Sequence, residues 1–122
     1  MPTASGHTRA ISASRVIGSN VYDTSGTSIG DVHDIVLDKQ SDKIMFAVLS
    51  FGGFLGIGEK YHPLPWNALK YDVELGGYVV NLTREQLEGG PVYDDTDEPR
   101  WGDRDYERGV HDYYGLPPYW MV

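Results

Sequence analysis

The segment IMFAVLSF, residues 44–51, carries the strongest β-strand pattern in the chain. Successive side chains of a strand point to opposite faces, so Ile44, Phe46 and Val48 share one face and the other face holds Met, Ala, Leu and Phe. A strand with one solvated face alternates apolar and polar residues. This segment is apolar on both faces. We therefore expect something to cover its outer face, either the chain's own tail or a second subunit.

Similar runs lie on either side of this segment, separated by turn residues such as Asp23–Gly26. We interpret Gly76-Gly77 as a two-residue hairpin connection. Pro63 and Pro65 cannot donate ladder hydrogen bonds, so their strand should lie at an edge or be bent. The predicted strands are Val16–Tyr22, Ile29–Leu37, Ile44–Phe51, Lys60–Trp66, Leu69–Leu75 and Tyr78–Leu82. This pattern predicts a mainly β fold, a small closed or nearly closed six-stranded barrel, because closure removes exposed edges.

Two local features refine this prediction. The apolar residues of the second strand change parity between Ile29 and Val32, and a bulge around Asp31–His33 would reconcile them. Thr83–Gln86 fits a capping box, which predicts one short helical turn that ends before Gly89-Gly90-Pro91.

The composition divides the chain into three parts. We predict a flexible N-terminal arm over residues 1–13, a barrel domain over 14–91 and an acidic, aromatic-rich tail over 92–122. Disordered acidic tails are poor in aromatic residues, and this one carries several Trp and Tyr. We therefore expect the tail to dock, with a short helix over 103–114.

Composition also excludes several classes of function. The chain has no cysteine, which removes disulfides, thiolate nucleophiles and zinc–thiolate sites. Its net charge of −8 and its scattered lysines disfavour nucleic acid and anionic membranes as partners. No apolar run is long enough to span a membrane, and residues 1–13 are polar, so we expect a cytoplasmic protein.

Three stretches together resemble the PRC-barrel family, over about residues 12–90. They are VIGSNVYD (16–23) with Ile29-Gly30, FGGFLGIG (51–58) and PLPW (63–66) with Ala68-Leu69. The family is named for the H subunit of photosynthetic reaction centres, whose cytoplasmic domain has this fold, and this chain looks most like its stand-alone bacterial members. The resemblance implies a six-stranded barrel that acts as an interaction or assembly module, and it supplies no catalytic residues and no cofactor.

Candidate chemistry is sparse. Asp23-Thr24-Ser25-Gly26 is better explained as a β-turn than as a protease motif. The loop over 52–60 has no Gly-Lys-Ser/Thr ending and carries Glu59, which would repel phosphate, so it is not a phosphate-binding loop. Asp31, His33 and His62 are weak candidates for a metal site, which adjacent strands would have to bring together. No activated nucleophile or paired acid and base is evident, so we expect neither enzymatic activity nor a bound cofactor.

A binding function is better supported by the sequence than a catalytic one. Phe54, Leu55 and Ile57 lie in a glycine-rich loop, where they either close one end of the barrel or form an exposed apolar surface for a partner. The aromatic residues of the tail can likewise either pack on their own barrel or form an interface with another protein; they are Trp101, Tyr113, Tyr114, Tyr119 and Trp120. For the distal Tyr119 and Trp120 we favour packing on another surface. The sequence predicts a module that forms a homodimer and binds a protein partner. The alternative is a regulatory barrel that binds a small molecule or a metal near His33 and His62.

Overall fold

Turn residues divide the chain into six strands, which the computed structural model joins into one curled, mixed sheet. The model describes residues 9–51, 60–118 and 120. The strands are β1 (Asn20–Tyr22), β2 (Ser28–Leu37), β3 (Ile44–Phe51), β4 (Lys60–Pro65), β5 (Leu69–Asp72) and β6 (Gly77–Val80). Their order in the sheet is β4-β3-β2-β1-β6-β5, antiparallel throughout except for the parallel pair β1–β6. The mainly β, six-stranded prediction is confirmed.

Helical segments are short except for the last. They are α1 (Ala13–Val16), a 3₁₀ turn at Trp66–Ala68, α2 (Arg84–Glu88) and α3 (Arg104–Tyr114). The capping box predicted for α2 is confirmed: the Thr83 hydroxyl accepts from Gln86 N at 3.0 Å, and the Gln86 carboxamide accepts from Thr83 N at 2.8 Å. None of the helices in the described ranges has both the length and the apolar character needed to cross a bilayer.

The main core lies on the concave side of the sheet. β3 has the bounds that its sequence predicts, and its inner-face residues Ala47, Leu49 and Phe51 pack there. The predicted bulge in β2 is also confirmed, because the register with β3 shifts between Val32 and Asp34 and leaves His33 as the extra residue. That shift lets Val32 point into the core, where it is 1% exposed.

Two predicted strand boundaries were wrong by more than two residues, the start of the first strand and the end of the fifth. The first strand was predicted to start at Val16, yet Arg15 N and Val16 N both bond to the Ser12 carbonyl and form α1. Gly18 then adopts a φ of +95° and reverses the chain, so β1 begins only at Asn20. This conformation is open to glycine and unfavourable for most other residues.

The β5–β6 connection is longer than the predicted two residues. Asp72 ends β5, and its carboxylate accepts from Glu74 N at 2.9 Å and Leu75 N at 3.0 Å. Gly76 follows with a φ of +71°, and Gly77 already belongs to β6. The second glycine serves a different purpose there, because a Cβ at Gly77 would lie 2.5 Å from the Asn20 carbonyl of β1.

Candidate interaction surfaces

The outer face of β3 is covered by residues that follow the barrel in sequence. Phe46 and Val48 point outward from β3 and are 0% exposed. The ring of Phe46 lies 5.9 Å from that of Trp101, and Val48 packs in a cluster with Tyr61 and Tyr93. The tail of this chain therefore occupies the surface that the two-faced pattern of residues 44–51 left in need of a cover.

Helix α3 supplies the part of this cover that lies over Phe46. Its carboxylate cap is Asp103, which accepts from Asp105 N at 2.9 Å, and Gly115 ends the helix with a φ of +68°. The residues that α3 buries are Glu107, Val110 and His111, spaced three and four apart on one helical face. An ionisable residue therefore lies on each side of Val110, the one apolar residue among these three.

Burial pushes both of these ionisable side chains towards their neutral forms. It raises the pKa of Glu107, whose carboxylate accepts from Gly102 N at 2.9 Å and lies 3.5 Å from the Arg104 guanidinium. It lowers the pKa of His111, against the opposing effects of Asp112 and of nearby backbone groups. The stability of the docked helix consequently depends on pH.

The start of the tail is fastened to the edge of β4. Tyr61 N donates to the Tyr93 carbonyl at 2.8 Å, and Tyr93 N donates to the Tyr61 carbonyl at 2.9 Å. The Lys60 ammonium lies 3.7 Å from the carboxylate of Asp94, next in sequence. β4 is the outermost strand on this side, as its prolines predict, and Tyr93 closes part of its free edge.

The predicted partner-binding residues fall into different environments. Phe54, Leu55, Ile57 and Tyr119 lie outside the described residues. Trp101 and Tyr114 are half-buried against their own barrel.

Two more of these tail aromatics contact the chain itself. Tyr113 is 45% exposed, and its hydroxyl donates to the Gln86 carbonyl at 2.7 Å. The sequence favoured another surface for Trp120. In the structure, the Arg104 guanidinium lies 4.0 Å from the Trp120 ring, so a cation–π contact holds this ring on α3 of the same chain.

The weak metal candidates are not brought together. His33 stacks on Tyr61 at 4.0 Å on the outer face, whereas His62 stacks on Phe51 at 4.2 Å on the inner face, because Tyr61 and His62 are consecutive residues of β4. Asp31 is exposed and pairs with Ser50. Across the described ranges, no group of three or more His, Asp or Glu is arranged to hold a metal ion.

His62 is nevertheless an unusual core residue. Its side chain is 4% exposed, its Nδ1 has no hydrogen-bond partner among the described residues, and burial lowers its pKa. The Leu87 backbone and the Glu88 carboxylate oppose this effect without outweighing it.

Burial of Glu107 and His111 of α3 was not predicted from the sequence. Glu107, Val110, His111 and Tyr114 follow the i, i+3, i+4, i+7 spacing of a packed helical face. The signal was present but concealed, because two of the four residues are ionisable and such residues ordinarily mark the solvent side.

Comparison with known proteins agrees with this geometry. The family model of the PRC-barrel domain matches residues 9–87, which is more than half of the chain. That match includes all six strands and ends inside α2, so α3 and the rest of the tail follow it. A search of curated proteins found no match.

Proposed function

We propose that this chain, which belongs to the PRC-barrel family, is a non-enzymatic interaction and assembly module that associates with itself and binds a protein partner. The family's domain is a general interaction and assembly domain. The observation that carries the proposal is the packing of α3 against the outer face of β3. This face is built by the family domain, while the helix on it comes from outside the matched residues.

The energetics of this face favour binding. Burying a large apolar side chain is worth about 1.5–3 kcal/mol, so Phe46 and Val48 together would leave a sizeable unfavourable surface if they faced water. An amphipathic helix laid on an apolar surface is a recurring mode of protein recognition. The barrel already binds one such helix, its own, and this supports a role in which packing against other polypeptides is the activity.

For the partner, the proposal assigns the apolar loop residues Phe54, Leu55 and Ile57 as the first contact and the tail aromatics Trp101, Tyr113, Tyr114, Tyr119 and Trp120 as the second. Three large apolar side chains between glycines support the first choice, since apolar loop residues form the centre of many interfaces. The exposed ring of Tyr113 supports the second. A cytoplasmic location and the exclusion of nucleic acid are part of the same proposal and rest on sequence and charge.

The test compares three versions of the full chain: wild type, the double variant Phe54→Ser/Leu55→Ser, and Val92→Ser. Val92 is an exposed apolar residue elsewhere in the described chain and serves as the matched control. The wild type is expected to associate with itself in light scattering and to retain a protein in affinity capture from its host cell. The double variant should lose the captured protein with unchanged circular dichroism, and Val92→Ser should keep it.

Two outcomes would contradict the proposal. Equal capture by the double variant would remove the loop assignment, and a wild type that stays monomeric and retains nothing would remove the interaction role. Salt-sensitive RNA binding by the purified chain would reverse the exclusion of nucleic acid. Fractionation of the host cells tests the location.

A further inference from the structure

The two edge strands of the sheet, β4 and β5, differ in how far their outer edges are protected from pairing with another strand. β4 is blunted by Pro63 and Pro65, which have no N–H, and by the pair of hydrogen bonds to Tyr93. β5 pairs with β6 along its inner edge. In the described part of the chain, its only other backbone hydrogen bonds are local ones, from Leu69 N to the Trp66 carbonyl and from Gly76 N to the Asp72 carbonyl. Among the described residues, no strand pairs with the outer edge of β5, which leaves this edge available to a further strand.

The same hairpin presents apolar side chains to solvent. Tyr71 is 46% exposed, Val73 53% and Leu75 39%. The turn itself is formed by the carboxylate of Asp72 and the positive φ of Gly76, so its geometry requires no apolar residue at 73 or 75. Turns are normally polar, and an apolar tip beside an open strand edge is typical of an interface.

We infer that β5 is the self-association surface, where it pairs antiparallel with β5 of a second copy and Tyr71 lies on the two-fold axis. In this register Tyr71 faces Tyr71 of the second copy, and Lys70 faces Asp72. These pairs are aromatic and oppositely charged, which are among the combinations that stabilise antiparallel strands. A two-fold axis forms each ion pair twice.

Charge selects this register over its neighbours. Moving the axis to Asp72 places two Asp72 carboxylates opposite each other, and moving it to Lys70 does the same with two ammonium groups. Like charges directly opposite each other are destabilising. The sequence of β5 is therefore complementary to itself around Tyr71, which is why a second copy of this chain is the expected occupant.

This inference rests on the proposed function, because it takes self-association as given and assigns it to a surface. It leaves the loop with Phe54 and Leu55 free for the protein partner. Strand addition of this kind joins the two sheets into one. Because β5 is only four residues long, the dimer should be weak and concentration-dependent.

The first test uses the absence of cysteine in the chain. Tyr71→Cys places one thiol on the proposed axis, and Val92→Cys places one on a site that is equally exposed, at 46%. Residues facing each other across an antiparallel pair are close enough for a disulfide. Under mild oxidation of the full chain, Tyr71→Cys should give a covalent dimer at least about tenfold faster than Val92→Cys. Equal rates would overturn the inference.

The second test reverses charge. Lys70→Glu puts a carboxylate opposite Asp72 of the second copy and should weaken self-association about tenfold in sedimentation equilibrium. Lys39→Glu makes the same change at an exposed site in the β2–β3 connection and should not. A wild-type dimer unaffected by Lys70→Glu would mean a different self-association surface, which overturns the inference but not the proposed function. A wild type that is monomeric at all concentrations would remove this inference and the self-association part of the proposed function, while its capture of a protein partner would be judged separately.

Discussion

The imidazole ring of His111 lies with its centroid 5.7 Å from the ring of Phe46, so an ionisable group of α3 packs on a fully buried side chain of β3. On the inner face of the sheet, His62 stacks on Phe51 in a comparable way. Burial lowers the pKa of both histidines below their ordinary value of 6.5. A proton on either ring would leave a charge among aromatic side chains, which links the packing of the tail and of the core to pH.

We predict that the free energy of unfolding decreases as the pH falls below about 6.5. In that range the unfolded chain binds protons that the folded chain does not, because the folded pKa values of His62 and His111 are the lower ones. At more acidic pH, Glu107 has the opposite effect on the free energy of unfolding. Because its pKa is raised in the folded chain, the folded chain binds a proton at a higher pH than the unfolded chain does. Urea unfolding of the wild type at about pH 7.5 and about pH 5.5 measures the decrease.

His111→Gln should reduce this pH dependence, because one of the two linked groups is removed. Val92→Ser is the control, since Val92 is an exposed residue without an ionisable group, and it should leave the slope unchanged. An identical slope in the wild type and in His111→Gln would show that α3 is not held through a neutral His111.

Trp101→Ala should release the tail while leaving the barrel folded. The Trp101 ring contacts Phe46, Tyr93 and Tyr106, each at about 6 Å between ring centroids, and removing a packed Trp costs about 3–5 kcal/mol when it is buried. Amide hydrogen exchange should accelerate in α3 and remain slow in β3. Tyr113→Phe, which removes only the hydrogen bond to Gln86, should have a far smaller effect. Unchanged protection of α3 would contradict the role assigned to Trp101.

Gly109→Ala is predicted to stabilise the protein by about 0.5–1 kcal/mol. Gly109 lies within α3, and a Cβ built there meets no atom within 4 Å. The gain comes from the lower backbone entropy of alanine in the unfolded chain. Urea unfolding provides the measurement, and a loss of stability would mean that this face of α3 is covered in solution.

Gly30→Ala is predicted to destabilise the protein. A Cβ at Gly30 would lie 2.5 Å from the Ser50 carbonyl and 2.7 Å from Cβ of Phe51, both on the neighbouring strand β3. Because these are backbone-anchored atoms, the strands would have to separate, at a cost of about 1–3 kcal/mol. Gly109→Ala serves as the matched control, and equal stability of the two variants would show that β2 and β3 can adjust.

The sequence predicted the strands best where packing and local chemistry agreed. Residues 44–51 are apolar on both faces, so no alternative element competes, and the observed β3 has the same bounds. The bulge at His33 followed from a parity change that only an extra residue can absorb. The predicted strand boundaries were wrong where two hydrogen bonds to one carbonyl redirect the chain, as at Ser12, or where a side chain closes the turn, as Asp72 does.

The interaction surfaces were harder to predict. The need for a cover over β3 could be read from one strand, but the choice between a tail and a second subunit depends on distances that a sequence does not contain. Glu107 and His111 were assigned no role, because burial of ionisable groups depends on tertiary contacts. The open edge of β5 became visible only through strand order, since β4, which precedes β5 in sequence, lies at the opposite edge of the sheet.

The cover of β3 also has a consequence for synthesis of the chain. Phe46 is translated well before Val110, although both belong to one packed cluster. Translation proceeds at about 5–20 residues per second, so each nascent barrel passes several seconds with an uncovered apolar face. During this interval, the ribosome-bound chain is the species most exposed to aggregation and to chaperones. A premature stop codon upstream of α3 would make that transient state permanent.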